Sequence, residues 1–186
     1  MDAAQNDGLE RARAQLAAAI GAMLVAVGED VGRDGLRSTP MRVADSLIGF
    51  LAGVRLDPAA PLSTPFAAQS RDLVTIRDIP VASFCEHHLL PFTGVAHIAY
   101  TPNEHVAGLS DFSKTIEILA SRPQIQENLT AQIAEVIEKA IAPLEVTVTL
   151  TCVHTCMTVR GGNNYGTSVT TVARRGPAEE QHSDPK

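Results

Sequence analysis

The sequence predicts an α+β protein in which an antiparallel sheet is covered by helices on one face and preceded by a helical N-terminal extension. Strand-like and helix-like segments come in runs (helices, two strands, two helices, two strands) rather than in strict alternation. Between Ile125 and Ile141 the apolar residues Ile125, Leu129, Ile133, Val136, Ile137, Ala140 and Ile141 recur at threes and fours, the mark of an amphipathic helix. From Glu145 to Val153 the period drops to two, with Val146, Val148 and Leu150 on one face and Thr147, Thr149 and Thr151 on the other. With 186 residues, 45% of them hydrophobic, the chain has material for one elaborated domain.

Residues 9–27, rich in Ala and Leu, form the first helix and end at a cluster of glycines, Gly28, Gly32 and Gly35. The apolar run 17–27 follows Arg11 and Arg13 and has the length of a signal peptide. The leader also carries Asp2, Asp7 and Glu10, so the run is read as an Ala-rich core helix. Thr39 is the expected N-cap of a second helix, with Pro40 at its first position, reaching about Ala52. The Pro-rich stretch 57–65 is expected to be an irregular linker. Strands begin near Leu73. Segments 95–100 and 106–109 flank a turn-rich 101–105 and are expected to form a hairpin. A short helix is expected over 112–120, and the amphipathic helix then runs to Ala142 and stops at Pro143. The strand starting at Glu145 is expected to continue through 157–160 and to pair with 167–173. In domain terms this gives a helical extension (1–56), a linker (57–71), a main sheet-and-helix domain (72–175) and a disordered polar tail (176–186).

Fifteen Lys and Arg against 21 Asp and Glu give a net charge of −6, which excludes a broad basic surface for nucleic acid. No apolar run has the length needed to cross a bilayer. Aromatic residues make up 4%, too few for base-stacking platforms. The three cysteines are odd in number and clustered with histidines, which points to ligand placement in a reducing, cytoplasmic setting rather than to disulfides.

Two stretches carry chemistry: Cys85-Glu86-His87-His88 and Cys152-Val153-His154-Thr155-Cys156. On a continuing strand Cys152, His154 and Cys156 share one face, about 7 Å between neighbours. A Cys-x-x-His turn supplies two further ligands, and thiolate with imidazole suits zinc. Four protein ligands would close a structural site, whereas three leave an open position for water. Cys152, one pitch from Leu150 on an apolar face, is read as core. His97 and His105 are read as ordinary strand and turn residues.

The stretches 85–92, Gly108-Leu109-Ser110, 122–130 (Arg-Pro-Gln-Ile-Gln-Glu-Asn-Leu-Thr) and His154-x-Cys156-x-x-x-Arg160-Gly161, together with Gly28-Glu29-Asp30 and 39–44 (Thr-Pro-Met-Arg-Val-Ala), resemble the GTP cyclohydrolase I family in order and spacing. The resemblance spans about residues 16–175. It implies the tunnelling fold, with sheets closing into barrels by oligomerisation as a decamer of two pentamers. It further implies zinc held by Cys85, His88 and Cys156, and hydrolytic opening of the guanine imidazole ring of GTP to release formate and give 7,8-dihydroneopterin triphosphate. By the same resemblance His154 transfers the proton, His87 lies hydrogen-bonded nearby, and Glu127 with Gln126 anchors the guanine edge. Ser110, Lys114, Arg160 and Arg42 fall at the phosphate end. There the chain departs from the family, which places Lys and Arg where this sequence has Asp111 and Lys114. Two alternatives stay open at this stage: ring opening of a less phosphorylated or non-phosphorylated purine, and a zinc-stabilised oligomeric binding protein without turnover. No nucleic-acid or membrane partner is expected.

Overall fold

The structure, a computed structural model, describes residues 3–159, 164 and 166–176, and the chain divides into two units, 1–52 and 53–186. The first unit contains helices α1 (Ala3–Ala26) and α2 (Thr39–Phe50). Arg13 of α1 clamps Asp45 of α2 with both Nε and Nη2, the latter at 2.9 Å, and this holds the carboxylate below its usual range. The helix expected over 9–27 forms, but none of those residues is buried, and Val27 is 72% exposed. The core reading of this run is therefore corrected: one helical neighbour in the unit encloses too little of α1. The cap of α2 is Ser38, which makes no side-chain cap bond. Thr39, expected in that role, is already helical and turns its hydroxyl back to the Gly35 carbonyl at 3.3 Å.

In the second unit the Pro-rich stretch contains a short 3-10 turn, Ala60–Leu62, whose Leu62 is buried in the main core. Then follow β1 (Phe66–Ala67), β2 (Val74–Cys85), β3 (Pro91–Thr101), β4 (His105–Val106), α3 (Leu109–Ala120), β5 (Pro123–Gln124), α4 (Gln126–Ile141), β6 (Glu145–His154), α5 (Thr155–Thr158) and β7 (Val169–Arg175). Five strands form one sheet in the order β5-β2-β3-β6-β7, antiparallel except for the parallel β5–β2 pair. Helices α3 and α4 lie together on one face, as expected for the fold class.

Two expected pairings are corrected. Val106 does not return onto β3; it pairs with Phe66 in a separate two-stranded sheet, because both edges of β3 are already taken by β2 and β6. The strand of β6 does not continue through 157–159. It ends at His154, and residues 155–158 make one helical turn, with Val159 N–H on the Thr155 carbonyl at 2.9 Å. Arg160, the connection at 160–163 and the tail from 177 lie outside the described residues.

The inward residues of the central strands lie opposite each other: Ala96 with Leu150, Ile98 with Val148, Tyr100 with Val146. β2 enters this pattern through a bulge. Ile76 faces Ile98 but Ile79 faces Ala96, so Arg77 and Asp78 share the place opposite His97. Asp78 takes a left-handed φ of 56° and donates its N–H to His97 Nδ1 at 3.2 Å. The extra residue reverses the parity of the strand. Upstream, the inward positions are Val74 and Ile76; downstream they are Ile79, Val81, Ser83 and Cys85.

Gly94 lets β3 and β6 close. A Cβ there would lie 2.0 Å from the Thr151 carbonyl oxygen and 2.8 Å from Cys152 Sγ. Gly94→Ala is therefore expected to cost about 2–3 kcal/mol by forcing backbone apart next to the His154 end of β6. Thermal and urea denaturation of the variant check this; an unchanged midpoint would show that the strands have room to shift.

Candidate active site

Four segments meet at one end of the helix-covered face. The end of β2 delivers Cys85, already turned inward by the bulge. The five residues that join β2 to β3 fold into a tight turn: Cys85 O accepts the N–H of His88 at 3.3 Å and of Leu89 at 2.8 Å, and Leu89 takes a positive φ of 51°. That turn carries the imidazole of His88 back toward the thiol three residues before it. β6 ends at His154, and the helical turn after it presents Cys156. The hydroxyl of Thr155 ties this turn to the Pro91 carbonyl at the start of β3.

The sulfurs of Cys85 and Cys156 and a ring nitrogen of His88 lie within 4.8 Å of one another. A tetrahedral ion with bonds of about 2.0–2.3 Å holds its ligand atoms roughly 3.5–3.8 Å apart. The exposed His88 and half-buried Cys156 need only small rotations to close that gap. Two thiols and an imidazole are the donor set that zinc favours, and among the described residues no fourth His, Cys, Asp or Glu joins the group. The donors thus fit a metal that keeps one position open.

Cys152 stands apart. It lies opposite Gly94, is 1% exposed and belongs to the apolar core, and burial pushes its thiol pKa up to about 11. A thiol held neutral in this way is a poor ligand. Expected to share a face with Cys152 and Cys156 along a strand, His154 shares it only with Cys152, since Cys156 belongs to the helical turn.

His154 is held by two neighbours. Its ring stacks on the buried Phe92 with centroids 4.5 Å apart and planes 16° from parallel. Its Nε2 lies 2.7 Å from Gln126 Oε1. Burial lowers its pKa, and the negative charge of Glu127 acts in the opposite direction. Glu127 is exposed in the first turn of α4, where a carboxylate is favoured by the helix dipole. The parallel pairing of Cys85 with Gln124 in β5 brings the start of α4 here, and Glu86 N–H donates to the Gln124 carbonyl at 3.0 Å.

Gln126, expected at a substrate edge beside Glu127, has other partners in the structure. It is 2% exposed, and its amide NH2 donates to the carbonyls of Val169 at 2.9 Å and Leu150 at 3.2 Å and to the Thr171 hydroxyl at 3.1 Å. His87 is exposed and edge-on to His88, with ring centroids 6.2 Å apart. Ser110, Asp111 and Lys114 occupy the first turns of α3. There Lys114 Nζ lies 3.1 Å from Asp111 Oδ1, so this cation is already paired. Arg42 is exposed on α2, in the first unit. Phe92 against His154, and Thr130 and Thr171 against Gln126, complete the surroundings. Of these, only Thr130 had a signal in the sequence, its Gln-x-x-x-Thr spacing from Gln126 on one helix face.

Residues 16–186 match the family model described as GTP cyclohydrolase I. Among curated proteins, the GTP cyclohydrolase 1 of Corynebacterium aurimucosum is 46% identical over 161 residues, covering 86% of this chain and 82% of that protein. The GTP cyclohydrolase 1 of Listeria monocytogenes is 45% identical over 163 residues, covering 87% and 86%. Among solved structures, one titled as the archaeosine synthase QueF-Like in the apo form aligns with 60% of this chain and all of that one, at 21% identity and a TM-score of 0.48.

The geometry sorts the three thiols. Protein dialysed against zinc is expected to retain one ion per chain as wild type and as Cys152→Ala, and to retain little as Cys85→Ser or Cys156→Ser. Metal analysis after gel filtration checks it; equal loss in Cys152→Ala and Cys156→Ser would place the wrong sulfur in the site.

Proposed function

This chain belongs to the GTP cyclohydrolase I family, and we propose that the corner built by Cys85, His88, Cys156, His154 and Glu127 is where it opens the guanine imidazole ring of GTP by hydrolysis. The observation that carries this reading is the convergence of the three ligand atoms within 4.8 Å at the end of the same strand that places His154. Hydrolysis of both C–N bonds at C8 releases that carbon as formate, and the ribose then rearranges and recloses on the freed nitrogen to give 7,8-dihydroneopterin triphosphate.

Cys85, His88 and Cys156 would hold a zinc ion, which supplies Lewis acidity sufficient to activate water near neutral pH. The chain's own side chains do the rest. Purine C8 is a weak electrophile, and protonation of the adjacent ring nitrogen strengthens it. His154, clamped by Phe92 and Gln126, moves that proton and later serves the leaving nitrogen. Glu127 accepts N–H donors of the guanine edge, which discriminates against adenine. His87, on the exposed side of the same turn, hydrogen-bonds the substrate near the reacting centre.

Ser110, Lys114, Arg160 and Arg42 serve the phosphates, Arg42 from a neighbouring subunit. Assembly as two stacked pentamers fits the open outer edge of β7 at the end of the sheet. The alternation of Thr147, Thr149 and Thr151 leaves a polar face without helices, suited to line a barrel. Cysteines kept as thiols fit the reducing conditions of a cytoplasm.

GTP incubated with the zinc-loaded protein is expected to yield formate and a pterin chromophore in equal amounts. His154→Ala is expected to lower kcat by roughly 10²–10⁴-fold with its zinc content intact. Pterin absorbance and formate assay check both; zinc-loaded wild type without product would end this reading. The Asp111–Lys114 ion pair gives a further expectation. Asp111→Asn frees Lys114 and should lower KM for GTP about two- to fivefold, with no change for guanosine. An unchanged KM would place this pair away from the phosphates.

A further inference from the structure

We infer that Gln126 is a positioning residue, which holds the imidazole of His154 as the tautomer protonated on Nε2 and leaves Nδ1 as the nitrogen that accepts and returns a proton. The inference deepens the proposed function and rests on His154 as the residue that handles the proton.

The direction of each hydrogen bond follows from the partners of the side chain. The amide NH2 of Gln126 faces two backbone carbonyls, Leu150 O and Val169 O, which accept and never donate. Turning the amide over would set its own oxygen against both of them. The oxygen therefore faces the ring, 2.7 Å from His154 Nε2, and as an acceptor it requires the hydrogen on that nitrogen.

Two hydroxyls fix the same polarity from the other end. Thr130 Oγ1 lies 2.7 Å from the Gln126 carbonyl oxygen, to which it donates. Its single hydrogen is thus spent, so in the 2.6 Å contact between Thr130 and Thr171 the donor is Thr171. With its hydrogen used there, Thr171 accepts from the Gln126 amide at 3.1 Å. The circuit runs from the amide to Thr171, to Thr130 and back to the backbone of Gln126, without an unmatched hydrogen. Gln126 and Thr130 are buried, at 2% and 1% exposure, so water does not compete for these bonds. Stacking on Phe92 sets the ring plane, and the bond to Gln126 sets its rotation within that plane. The hydrogen bond to one ring nitrogen decides what the other does.

The test uses zinc-loaded full-length protein with ¹⁵N-labelled histidine, studied by magic-angle-spinning NMR at roughly pH 8, above the ordinary imidazole pKa. The His154 signals are identified by their loss in His154→Ala. Wild type is expected to show one tautomer, protonated at Nε2; a signal protonated at Nδ1, or a mixture, overturns the inference whatever the activity. Gln126→Met keeps the shape and removes the acceptor. It is expected to keep its zinc and its KM for GTP within about twofold, to lose roughly 10–100-fold in kcat, and to show both tautomers. A raised KM with unchanged kcat in Gln126→Met would make Gln126 a substrate contact and overturn the positioning role. Full activity of His154→Ala would instead overturn the underlying assignment of His154, and the wild-type tautomer is read independently of it.

Discussion

A strand side chain reaches the helix-covered face of its sheet only at alternate positions, and this parity governs the whole site. β2 begins with Val74 and Ile76 facing inward; on an unbroken strand Cys85 would face the opposite side. One additional residue at Arg77–Asp78 reverses the phase, so that the strand ends with a buried sulfur. The local cost is a non-glycine residue with positive φ, eased by Asp, which tolerates this region, and by the bond to His97. On the other side of β3, β6 needs no such device. It stays in phase from Val146 to His154 and then leaves the sheet, which frees Cys156 from strand geometry altogether.

The ligand group therefore depends on three different backbone devices: a bulge, a tight turn with Leu89 in the left-handed region, and a single helical turn. Each lies against a rigid neighbour. The turn after β2 is anchored to β5 by Glu86, and the turn after β6 to Pro91 by Thr155. Polar groups buried in the unit are satisfied as well. Ser83 donates to the Arg122 carbonyl, Thr115 to Pro58 and Gln124 to Leu119, and among the described residues no buried side-chain nitrogen or oxygen lacks a partner. Segments this well tied hold the Cys85, His88 and Cys156 group in a defined place.

Much of this was legible in the sequence, for physical reasons that differ by element. The alternation of 145–153 and the threes and fours of 125–141 report one-sided burial directly, and β6 and α4 follow them closely. Ligand chemistry marked the two Cys/His clusters as candidates, and the resemblance to the GTP cyclohydrolase I family picked out Cys85, His88 and Cys156 among them. The path by which they meet was not legible. No residue type announces the bulge at Asp78, and Cys152-x-His154-x-Cys156 reads as a continued strand although the chain turns helical after His154. Pairing of Val106 with Phe66 depends on which strand edges remain open, a tertiary matter. Gln126 lies next to Glu127 in sequence, yet successive helical residues diverge by about 100°, so one faces the interior and the other solvent.

The most direct measurement of the account is the zinc K-edge X-ray absorption spectrum of the metal-loaded protein. Two sulfur neighbours, one imidazole and one light atom not supplied by the chain are the shell that Cys85, His88 and Cys156 provide. A third sulfur neighbour or a shell without imidazole would contradict it.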